Sequence, residues 1–185
     1  MAVAERLQGL VLVSGPSRGG KSRWAEHLVG QRTPVTYLAT SDSRPDDSSW
    51  QERLLLHRER RPADWSVVES GPDLAKALDA IPIGHTVLID ALGAFTAWHL
   101  DASPDEWSLL EAGLIQSLQA RREPVVMVIE ETGWGVVPST AIGGRFRDRQ
   151  GHLAQKLETV ARRSWLVVQG RALDLHAFGI AVPDR

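Results

Sequence analysis

Short runs of Val, Ile and Leu alternate along the chain with longer stretches in which apolar positions recur every three or four residues. The continuous runs predict buried strands at 10–14, 35–39, 86–90, 125–129 and 165–168, with a weaker edge strand at 65–69. The amphipathic stretches predict helices over 21–31, 49–60, 72–80, 104–122 and 145–162. Strands of this kind separated by helices imply an α/β fold, a mainly parallel sheet with helices on both faces. No internal repeat or low-complexity tract breaks the pattern, so residues 1–185 are expected to form a single domain. Segment 41–49, rich in Asp and Ser and containing Pro45, is the best candidate for a mobile loop.

Composition narrows the function classes. With 43 % apolar residues in 185, the chain can bury a real core. A formal net charge of −2 supplies no global basic field for nucleic acid or a membrane surface. The chain has no cysteine, which excludes disulfides and thiolate metal sites and fits a reducing compartment. The apolar run near the N-terminus leads straight into a glycine turn and lacks the flanks of a signal peptide. No stretch reaches the roughly 18 uninterrupted apolar residues of a membrane span. A soluble, cytoplasmic protein is expected.

The first chemical motif follows the first strand. Gly15, Pro16, Ser17, Arg18, Gly19, Gly20, Lys21 and Ser22 match G-x-x-x-x-G-K-[ST] between a predicted strand and a predicted helix. Such a loop turns its backbone N–H groups toward one centre, and the helix N-terminus adds positive potential. Lys21 is then placed to reach β- and γ-phosphates, and the Ser22 hydroxyl to ligate Mg²⁺. The expected fold class is therefore P-loop NTPase-like. Arg18 either touches phosphate or faces solvent. Asp90 ends the strand Val87-Leu88-Ile89-Asp90, where such proteins hold the metal's water shell, although a carboxylate there can also simply cap the next segment.

The second motif is basic. His57 stands at the end of a predicted amphipathic helix and is followed by Arg58, Glu59, Arg60 and Arg61, then Pro62. Guanidinium forks suit phosphate oxygens, and a neutral imidazole among them can attack an α-phosphorus. A histidine among arginines is also compatible with a solvated charged face.

Six segments occur in an order that resembles the bifunctional adenosylcobinamide kinase and adenosylcobinamide-phosphate guanylyltransferase family. They are GPSRGGKSRWAEHLV, VTYLATSD, RLLLHRERRPADWSVVE, VLIDAL, EETGWGVVPSTAIGGRFRDRQGHLAQKL and WLVVQG. The resemblance extends from Leu10 to about Gly170, and its H-R-x-x-R-P and G-W-G-V-V-P segments are far more specific than the P-loop. It implies a kinase that phosphorylates the aminopropanol hydroxyl of adenosylcobinamide with ATP or GTP. It also implies a transferase that takes GMP from GTP onto His57 and passes it to adenosylcobinamide phosphate, giving adenosyl-GDP-cobinamide. By position, Ala39, Thr40, Ser41, Arg58, Glu59, Arg60, Arg61, Glu69 and Asp90 inherit nucleotide contacts. Mg²⁺ is the implied metal, and a homo-oligomer, a trimer, the implied assembly. A plain P-loop small-molecule kinase would not need His57 and its arginines. A non-catalytic GTP-sensing protein would need only the nucleotide site.

The sequence departs from that family's pattern at four places. The P-loop reads GPSRGG rather than GGARSG, and Pro16 removes one N–H. Ala91 replaces a common cysteine, Glu130 the first residue of an Asn-Glu pair, and Ala154 a common asparagine. None of these removes a group the implied chemistry requires, and the changes at Glu130 and Ala154 are those that can alter a substrate-facing surface or a subunit contact. The loop 133–138 reads either as a lid or corrinoid-facing surface, or as a structural or subunit-contact loop. Arg145, Arg147 and Asp148 resemble a family motif but suit surface pairing. His27, His85, His99, His152 and His176 show no metal-ligand spacing. Of the seven tryptophans, several are expected to fill the core or subunit contacts.

Overall fold

A computed structural model of the protein describes residues 7–30, 32, 34–41, 46, 52, 55 and 61–183. The elements run β1 (Leu10–Gly15), α1 (Lys21–Val29), β2 (Val35–Ala39), β3 (Ser66–Glu69), α2 (Leu74–Asp79), β4 (Thr86–Asp90), α3 (Leu92–Trp98) and α4 (Pro104–Ala120). They continue with β5 (Val125–Glu130), α5 (Ala141–Glu158), β6 (Arg163–Val168), β7 (Arg171–Asp174) and α6 (Leu175–Phe178). Among the described residues one sheet has the order β3-β2-β4-β5-β1-β6-β7. Every neighbouring pair is parallel except β6 and β7.

The sheet is covered on both faces because alternate residues of each strand point to opposite sides. In β1, Leu10 and Leu12 enter one apolar layer, and Val11 and Val13 the other. The first layer packs beneath α2 to α5, with Leu78, Leu92, Phe95, Trp107, Leu114 and Leu153 filling it. The second holds Ala25 and Val29 of α1 together with Tyr37, Trp65 and Trp165. Leu38 and Leu88 are wholly buried, and a side chain of that size contributes about 1.5–3 kcal/mol by leaving water.

The sequence pattern anticipates six strands to within two residues, including β3 at the sheet edge. Helix α4 starts where its local chemistry dictates. Ser103 accepts from Glu106 N, Glu106 reaches back to Ser103 N, and Pro104 opens the first turn. The differences lie elsewhere. Helix α5 begins four residues before the expected start, at Ala141, because the Thr140 side chain accepts from Gly143 N and caps a stretch weakened by two glycines. Helix α3 and strand β7 have no counterpart in the pattern. The expected loop 41–49 and helix 49–60 lie almost wholly outside the described residues. No described helix is long and apolar enough to cross a membrane.

Candidate active site

The C-terminal ends of the parallel strands bring together part of the predicted residues. Strand β1 stops at Gly15, whose φ of +147° and contact with the Val167 carbonyl leave no room for a Cβ. A Cβ on Gly19 would stand 2.7 Å from the same oxygen. The loop can therefore pass over the end of β6 only with glycine at both positions. Gly19 N donates to Pro16 O at 3.2 Å, and Gly170 N to Gly19 O at 2.9 Å. Gly20, at φ +107°, leads into α1 without a side-chain cap. The helix's first N–H groups are thus left to face the loop centre, the arrangement that binds phosphate.

Lys21 is 8 % exposed, and its Nζ donates to Pro16 O at 2.8 Å. Burial lowers its pKa from the ordinary lysine value, while the nearby Glu130 and Asp90 carboxylates pull it the other way. Pro16 forfeits a donor, yet its carbonyl orders both Gly19 and the lysine.

Asp90 stands at the end of β4, where two hydroxyls donate to it. Its Oδ1 accepts from Ser22 Oγ at 3.4 Å, and its Oδ2 from the Tyr37 hydroxyl at 2.9 Å. Burial, and then the Asp90 charge, push the Tyr37 pKa far above its ordinary value, so the phenol remains a donor. Thr40 Oγ1 donates to Ala91 O at 2.6 Å and accepts from Ala91 N at 2.9 Å, which clamps the turn after Asp90. The Arg61 guanidinium lies 4.2 Å from the centre of the Tyr37 ring.

Glu130 ends β5 in register with Gly15. Its Oε2 accepts from Gly93 N at 2.8 Å, in the first turn of α3. Burial raises its pKa above the ordinary carboxylate value, and Asp90 adds to that. The Gly93 hydrogen bond and Lys21 oppose the rise. Glu131 turns to the backbone of its own loop, accepting from Gly133 N.

The donors suit magnesium. Ser22 and Asp90 offer adjacent hard oxygens, and Mg²⁺ takes one or two protein oxygens together with water and substrate phosphates. Among the described residues no group of three His, Cys, Asp or Glu side chains forms a protein cage.

Gly15 to Ser22, Ala39, Thr40, Ser41 and Asp90 thus share one end of the sheet. Glu69 is at the same end but exposed, on the edge strand. Four strand spacings, about 19 Å, separate it from the P-loop strand. Ser17 and Arg18 are exposed. His57, Arg58, Glu59 and Arg60 lie outside the described residues, and Arg61 is the member of that segment seen here. Tyr37 was not singled out by the motifs. It is the chain's one tyrosine and sits in a buried strand, where its hydroxyl demands a partner.

The remaining expected features take structural or surface places. Ala154 packs against the first apolar layer. Arg145 donates to Leu100 O, and Arg147 pairs with Asp148. The loop after β5 exposes Trp134, Val136 and Val137. His99 and His176 bond Pro72 O and Glu158 respectively. Trp65, Trp107 and Trp165 are buried.

The family model described as cobinamide kinase / cobinamide phosphate guanyltransferase matches residues 11–175. The bifunctional adenosylcobalamin biosynthesis protein CobU of Escherichia coli K12 is 37 % identical over 176 residues, covering 87 % of this chain and 96 % of the relative. The bifunctional adenosylcobalamin biosynthesis protein CobP of Pseudomonas aeruginosa is 32 % identical over 167 residues, covering 89 % and 95 %. A Pyrococcus horikoshii OT3 structure aligns with a TM-score of 0.56 at 7 % identity, over 90 % of this chain and 85 % of that one. The EscN ATPase of the enteropathogenic E. coli type III secretion system aligns at 0.52 and 11 %, over 88 % and 43 %. At such identities the two structures share the fold alone.

Proposed function

The chain belongs to the cobinamide kinase / cobinamide phosphate guanyltransferase family, and on that premise we propose that it carries out both reactions within one domain spanning residues 1–185. It phosphorylates adenosylcobinamide with ATP or GTP. It then transfers GMP from GTP to adenosylcobinamide phosphate, giving adenosyl-GDP-cobinamide. The observation that carries this reading is the family match over residues 11–175, which takes in the P-loop and the arginine-rich segment together.

In the kinase step, the N–H groups of the loop and of the α1 N-terminus cradle the phosphates, and Lys21 offsets charge on the transferring group. Ser22 and Asp90 would hold Mg²⁺, whose chemistry is to neutralise charge on the β- and γ-phosphates. In the transferase step, His57 attacks the α-phosphorus of GTP, a P–N bond forms and pyrophosphate leaves. A phosphate oxygen of adenosylcobinamide phosphate then attacks the same phosphorus and frees the histidine. Arg58, Glu59, Arg60, Arg61, Ala39, Thr40, Ser41 and Glu69 serve as nucleotide contacts. The protein acts in the cytoplasm as a homo-oligomer, a trimer by family likeness.

Intact-mass spectrometry after incubation with GTP and Mg²⁺ tests the proposal. A gain of one GMP, lost in acid and missing in His57→Ala, is expected. An equal adduct in the variant would overturn the histidine assignment. Phosphorylation of adenosylcobinamide without any adduct would reduce the protein to a kinase.

A further inference from the structure

A continuous set of contacts joins the arginine-rich segment to the P-loop. The Arg61 guanidinium lies 4.2 Å from the centre of the Tyr37 ring. The Tyr37 hydroxyl donates to Asp90 Oδ2 at 2.9 Å, and Asp90 Oδ1 accepts from Ser22 Oγ at 3.4 Å. Tyr37 is only 6 % exposed, so its ring is held by the apolar layer around it and moves little. Two consequences follow. With one carboxylate oxygen bound to the phenol, the other is left turned toward Ser22, which fixes the rotation of Asp90. The ring's face, in turn, gives Arg61 an electrostatically favoured seat.

We propose that Tyr37 is a positioning residue shared by the two half-reactions, orienting Asp90 through its hydroxyl and seating Arg61, a nucleotide contact of the transferase step, through its ring. The assignment rests on the bifunctional reading above. It differs from a structural role for Tyr37 because the two parts of the side chain serve different reactions and can be removed separately.

Tyr37→Phe deletes the hydroxyl and keeps the ring. Tyr37→Met fills similar space without an aromatic face. In each variant, the phosphorylation rate, its Mg²⁺ dependence and the rate of GMP-adduct formation by mass are measured, with melting curves to confirm folding. For Tyr37→Phe the expected result is about a tenfold fall in kcat for phosphorylation with little change in nucleotide KM. The Mg²⁺ needed for half-maximal rate should rise severalfold, and adduct formation should fall at least fivefold less than phosphorylation does. Tyr37→Met should slow adduct formation well below the Phe variant. Equal losses in both reactions for the Phe variant, or no loss in either, would overturn the assignment while leaving the bifunctional reading intact. A parent protein that forms no adduct would overturn that reading and this assignment with it.

Discussion

Thr96 and Gln150 lie 54 positions apart in sequence, on α3 and α5, and their side chains meet at 2.6 Å in the interior. Thr96 is wholly buried and Gln150 is 1 % exposed, so water offers neither a substitute. Thr96→Val keeps the shape and removes the hydroxyl, which leaves the Gln150 amide without that partner and opens no cavity. Stranding a buried polar group costs about 1–3 kcal/mol. For a chain of this size each kcal/mol corresponds to about 2–4 °C, so a mid-range cost lowers Tm by about 4–8 °C. Gln150→Leu should cost less, since a lone Thr96 hydroxyl can turn to the carbonyl one helical turn back. The double variant should then resemble Gln150→Leu, giving a coupling equal in size to the Thr96→Val cost, about 1–3 kcal/mol, in a double-mutant cycle. Urea unfolding followed by circular dichroism measures all three. A Thr96→Val variant within about 0.5 kcal/mol of the parent, or strictly additive single variants, would mean that the buried Thr96–Gln150 bond does not hold α3 to α5.

Other predictions concern the P-loop end of the sheet. Lys21→Met should cut phosphorylation by at least about a hundredfold, in line with loss of a major charge-stabilising group. Since burial depresses the Lys21 pKa, its charged form costs stability below the ordinary value of 10.5. The free variant should therefore melt no lower than the parent at neutral pH, and its advantage should shrink as pH approaches that value. Glu130 has the opposite sign: with its pKa raised, its folding contribution is complete below the ordinary 4.5 and is lost as pH rises. Glu130→Gln should gain Tm relative to the parent at pH 8 and lose that gain by pH ~4, a trend that melting curves across pH will check. Gly15→Ala forces a side chain against the Val167 carbonyl at φ +147°. It should cost at least about 2 kcal/mol and abolish nucleotide binding by calorimetry.

Much of the site was legible because its signals are local. The P-loop is a contiguous run whose glycines, lysine and serine each answer one geometric demand, and Asp90 closes a strand recognisable from four residues. Helix α3 escaped for a local reason too. Leu92, Gly93, Phe95 and Thr96 are all buried, so no polar face marks its period, and Ala91 supplies no capping side chain. Strand β7 is four residues of partly exposed edge, too short to announce itself. The α5 start was obscured by Gly143 and Gly144, whose low helix propensity hides a cap that Thr140 provides.

The sequence alone therefore sets the order of the six apolar strands, the alternation of their residues between two faces, and the phosphate loop. Period and turn chemistry act within a few residues and need no tertiary context. Only the folded sheet decided which polar groups met. Tyr37 reaches Asp90 across 53 positions, Glu130 reaches Gly93 across 37, and Thr40 reaches Ala91 across 51. These contacts depend on strand order and register, which bring β2, β4 and β5 side by side. Once burial takes away water, each donor must find its acceptor on whichever strand the packing has placed beside it.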